Sequence, residues 1–68
     1  MSGLFDNEPV TLAEQIACVK RELGYRWSVY KRRVADGKMK QEKMDYEIRV
    51  MGAVLATLED LQRAGIVS

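Results

Sequence analysis

"VYKRRVADGKMKQEK", residues 29–43, separates two long apolar stripes and decides how they pack. At its centre Asp36-Gly37 breaks the helical pattern. A glycine just past a helix end takes the left-handed conformation needed there without a Cβ penalty. Arg32 and Arg33 precede the break, where cations meet the negative end of a helix dipole. One helix therefore ends here, and another begins a few residues later.

Upstream, apolar residues fall at Leu12, Ile16, Val19, Leu23, Trp27, Tyr30 and Val34. A mean step of about 3.67 residues keeps such a stripe on one face of a nearly straight helix, without a left-handed supercoil. "TLAE" puts Thr11 at the N-cap and Glu14 three residues later, the signature of a capping box. A first helix is expected over about residues 11–36. Gly24 inside it is either an unoptimised position or a place where a neighbouring helix passes closely.

Downstream of a turn at about 37–40, Met44, Ile48, Met51, Leu55 and Leu58 define a second helix over about 41–64. Arg63 and Gly65 mark its end, with Ile66 placed for a Schellman contact to Leu61. Glu47, Val50, Val54 and Leu61 run beside the main stripe, with Gly52, Ala53 and Ala56 between. The apolar surface of this helix is thus wider than one neighbour covers. A connection this short forces an antiparallel pair. The fold class is all-α: a two-helix hairpin behind a flexible leader at residues 1–10.

A chain of 68 residues buries only about 60% of its unfolded surface, so its core is marginal. One Cys and no His remove intramolecular disulfides and histidine metal sites as supports. The remaining support is a partner chain. A homodimer forming a four-helix bundle through Val50, Met51, Val54, Leu58 and Leu61 is preferred, and a hetero-complex on the same face is the alternative. The leader, with Asp6, Glu8 and Pro9, lacks the basic and apolar regions of a signal peptide. No apolar run approaches the roughly 20 residues that span a bilayer, so a cytoplasmic protein is expected.

Net charge is +1, but charge is segregated. Residues 20–43 carry nine bases and three acids, whereas both flanking segments are acidic. In a hairpin this makes the turn a basic tip, formed by Lys31, Arg32, Arg33, Lys38, Lys40 and Lys43. The arginines complement a helix C-terminus; Lys40 and Lys43 stand at a helix N-terminus, where cations are disfavoured. The pairs Lys43–Glu47, Asp45–Arg49 and Glu59–Arg63 have the spacing to soften these charges. A solvated corner, a patch for an acidic protein and a nucleic-acid grip all remain open readings of the tip.

Tyr25, Tyr30 and Tyr46 interleave with the bases and could stack on nucleobases. Against this, Trp27 and Tyr30 lie on the core stripe, a pI near 7.9 is low for a dedicated binder, and "KQEKMDYE" sets acids at the head of the second helix. Catalytic residue sets are missing: Asp45 and Glu47 point different ways on a helix, and there is no glycine-rich phosphate loop. No catalytic, cofactor or metal residues are assigned, and an enzyme is not expected. Cys18 reads as a small, partly buried apolar residue despite Lys20 and Arg21 nearby. Met39, Met44 and Met51 fill a core or form an adaptable binding surface.

"TLAEQIACVKREL", "VYKRRVADGKM" and "QEKMDYEIRVMGAVLATLEDL" together resemble a group of short uncharacterised helical proteins carried by bacteriophages and prophages. The likeness spans roughly residues 11–61. Lys40 departs from it, standing where a hydroxyl N-cap such as Thr is expected. The resemblance implies a phage context and no established activity, so no site residue comes from it. Small phage-borne helical proteins often bind and modulate a host complex, and others bind DNA. The expectation is a non-catalytic module that binds a host or phage protein, with nucleic-acid binding by the basic tip as the alternative.

Overall fold

The computed structural model describes residues 9–65 and contains two helices, α1 at Leu12–Ala35 and α2 at Gln41–Arg63, packed along their length as a helical hairpin. Residues 1–8 of the leader and the Ile66 contact expected with Leu61 lie outside the described residues.

Helix α1 starts on the expected capping box. Thr11 is extended, its hydroxyl accepts from the Glu14 backbone N–H at 3.1 Å, and its own N–H donates to the Glu14 carboxylate at 2.9 Å. The Thr11 backbone N–H, then its hydroxyl, holds the Glu14 carboxyl below its ordinary range. A carboxylate whose pKa is depressed by folding stabilises above its unfolded pKa, and that stability is lost as pH falls through the folded value. The box is therefore weakened by acid.

At the other end the Gly37 N–H donates to Val34 O at 3.0 Å and the Lys38 N–H to Arg33 O at 2.8 Å. With Gly37 at φ 74° this is the Schellman pair of bonds, so orphan carbonyls of α1 are satisfied within the turn. Helix α2 starts less firmly: Lys40 occupies the N-cap and makes no side-chain capping bond. Its end is closed by Gly65 at φ 84°, whose N–H reaches Gln62 O at 3.1 Å.

The core is a single seam. Among the described residues only Leu12, Ile16 and Met44 are buried, at 8%, 7% and 3% exposure. Val19, Leu23, Tyr30 and Val34 of α1 and Ile48, Met51, Leu55 and Leu58 of α2 are half-buried, because the helices cover one another on one side only. Met44 thus serves as core filler.

Two expectations are corrected, for Trp27 and Cys18, and the two readings of Gly24 are decided in favour of an unoptimised position. Trp27 is 48% exposed although it lies on the stripe, because it borders an open groove that it shares with Lys31, Val34, Gln41 and Met44. Cys18 is exposed, since four- and three-residue steps place it off the buried face. No close helix approach explains Gly24, because nothing lies within 4 Å of where a Cβ would stand there.

Gly24→Ala is therefore expected to stabilise the hairpin by about 1 kcal/mol, since alanine is the better helix former and meets no clash. Urea denaturation measures this. A loss of stability would mean that another chain packs at Gly24.

Candidate functional site

The six tip cations are all exposed. Chain geometry brings them together: Lys31, Arg32 and Arg33 occupy the last two turns of α1, Lys38 and Lys40 the connection, and Lys43 the first turn of α2. Lys43 is neutralised by Glu47 at 3.2 Å. The other five have no carboxylate within ion-pair distance among the described residues. Lys31 instead lies over the Trp27 ring, 5.8 Å from its centroid, a cation–π arrangement.

Away from the tip several bases find acids. Lys20 reaches across the seam to Glu59 at 3.7 Å, Arg26 bonds Glu22 at 3.0 Å, and Arg63 pairs with Asp60. The expected Glu59–Arg63 pair is thus replaced, because α1 offers Glu59 another cation and Arg63 takes the nearer acid. The expected Asp45–Arg49 pair is also replaced. Asp45 accepts from the Gln41 amide at 2.8 Å, while Arg49 lies over the Tyr46 ring at 5.8 Å. These exposed pairs contribute little to stability, so their main effect is to decide which charges stay free.

The two flanks of the seam differ. Gln41 and Glu59, about five turns apart on α2, share one flank. Between Gln41 and α1 on that flank opens a shallow groove of about 250 Å³, lined by Trp27, Lys31, Val34, Gln41 and Met44. On the opposite flank Val50, Val54 and Leu61 form an apolar ridge, 42%, 43% and 39% exposed. Met51 and Leu58, also expected on a partner face, are half-buried at the edge of the seam and border this ridge. Arg26 stands on the ridge side, where its hydrogen bond to Glu22 raises its pKa, with the charges of Tyr30 and Glu47 adding to the effect.

The groove has no signature in the apolar spacing, which places Trp27 on the core stripe; the sequence signal that bears on it is Gln41, an amide on the seam side of α2. No group of three His, Cys, Asp or Glu side chains that could hold a metal occurs among the described residues, and no helix there is long and apolar enough to cross a membrane. Comparison with known protein families, curated proteins and solved structures finds no match to this chain.

Proposed function

We propose that this hairpin is a non-catalytic interaction module: two copies associate through the α2 ridges into a four-helix bundle, and the basic tips dock on an acidic surface of a host or phage protein complex. The observation that carries the reading is the imbalance between three buried side chains and the open ridge of Val50, Val54 and Leu61. A single-seam hairpin with so little buried gains most of its missing core from another helical layer.

The five tip cations that have no carboxylate partner among the described residues supply the second half of the proposal, since a one-sign patch steers an oppositely charged partner and speeds association. The likeness to phage-borne proteins points to the cytoplasm of a bacterial host as the place of action.

Affinity capture from a host lysate, compared between the wild type and Arg32→Glu/Lys40→Glu, tests the target. The expected result is a captured protein that, once purified, associates about tenfold more slowly with the charge-reversed variant and increasingly slowly as salt rises. The rival reading has its own support in the exposure of Tyr25, Trp27 and Tyr46, the last two lying beneath Lys31 and Arg49. It predicts affinity for generic duplex or single-stranded DNA with a steep logarithmic salt slope, and that outcome would overturn the protein-target reading.

A further inference from the structure

The groove at the tip has an occupant class written into its lining. It is lined by Met44, only 3% exposed and touched by the Gln41 amide at 3.9 Å, by the half-buried Val34, and by Trp27, whose ring Lys31 overlies. This is apolar surface with room for a side chain but not for a helix. One cation, Lys31, lines it, and two more stand in the adjoining connection. Lys31 and Gln41 line it directly, and Lys38 and Lys40 belong to the connection that enters α2 at Gln41. None of these three lysines has a carboxylate partner within the described residues.

We propose that this groove takes a single large apolar side chain from an acidic peptide segment of the partner protein, whose neighbouring carboxylates pair with Lys31, Lys38 and Lys40. The proposal rests on the reading of the tip as a protein-docking surface and adds to it the recognition chemistry: an aromatic or aliphatic anchor flanked by Asp or Glu. Charge complementarity selects the acidic segment. The half-covered indole selects the anchor, because closing the groove removes from water the exposed part of the most area-rich side chain type. Anchors that become buried on binding dominate interface energetics, while neighbouring charges set association rate and orientation.

Trp27 is the chain's only tryptophan, so the groove carries its own reporter. The probe is a capped hexapeptide, Asp-Glu-Leu-Phe-Asp-Glu, titrated into the full chain while Trp27 emission and acrylamide quenching are followed. The expected result is a saturable blue shift with reduced quenching at a Kd of about 10–300 μM, the range of short peptide contacts. The same peptide with Ser-Ser in place of Leu-Phe is expected to bind at least about tenfold more weakly, and Lys31→Glu/Lys40→Glu to weaken the parent peptide by a similar factor. Circular dichroism verifies that the variant is folded.

No change in Trp27 emission up to about 1 mM peptide, or equal binding of the Ser-Ser peptide, overturns the proposal. So does an oligonucleotide of mixed sequence that produces the same shift at lower concentration. Failure here is distinguishable from failure of the interaction-module reading: a target captured through the tip that leaves Trp27 emission unchanged removes the groove and keeps the module.

Discussion

Met44→Ala is expected to leave a chain that no longer folds cooperatively at 25 °C. Met44 is the most buried side chain among the described residues and sits where α2 first meets α1 beside Val34. Truncating a buried methionine to alanine costs about 2–5 kcal/mol, from lost transfer free energy and the cavity left behind. A single core of this size rarely supplies more than about 3–5 kcal/mol in total. The cost therefore consumes most of the stability. Thermal and urea unfolding followed by far-ultraviolet circular dichroism should show a broad, low-amplitude transition. A sharp transition within about 1 kcal/mol of the wild type would move the core elsewhere and undo the single-seam description.

Val50→Asp/Val54→Asp tests the other extreme, the exposed ridge. Both positions are more than two-fifths exposed, and Val and Asp have similar helix propensities. In an isolated hairpin such a double change alters stability by only some tenths of a kcal/mol per site. In the proposed bundle it buries four carboxylates against apolar surface without partners, which costs several kcal/mol. Light scattering at micromolar concentration should show the wild type as a dimer and the variant as a folded monomer, with association weakened by at least about a hundredfold. A wild type that is already monomeric would refute self-association through α2, and an unaltered dimer would place the interface on another face.

Much of this architecture was legible because it is encoded locally. The Thr11–Glu14 box, the Gly37 stop and the Gly65 stop each depend on residues within one turn, and each has the hydrogen bonds its spacing predicts. The stripe of α2 was legible for the same reason, since a period of 3.6 residues is a property of one helix. What was not legible depends on what stands opposite. Trp27 has the right spacing for the core, but its burial is set by Gln41 and Met44 across the seam. Spacing along its own helix pairs Glu59 with Arg63, and only the register of α1 against α2 brings Lys20 to it instead. Arg49 went to the Tyr46 ring in preference to Asp45, which the Gln41 amide already occupies. The tip cations were found as a cluster, whereas the groove beneath them, a product of two surfaces meeting, was not.

The ridge and the groove occupy opposite flanks of a fold only one helix layer deep, and that separation has a consequence for valency. A ligand on one flank does not obstruct the other, so occupancy of the two is sterically independent. If the ridges pair, both grooves of the resulting assembly remain outward-facing and identical, and a target that repeats its acidic segment meets two of them at once. The second engagement is then intramolecular, and a pair of weak peptide contacts reaches an avidity about 10²–10⁴ times that of one. A hairpin with a marginal core could in this way hold a large complex firmly while each contact stays fast to exchange.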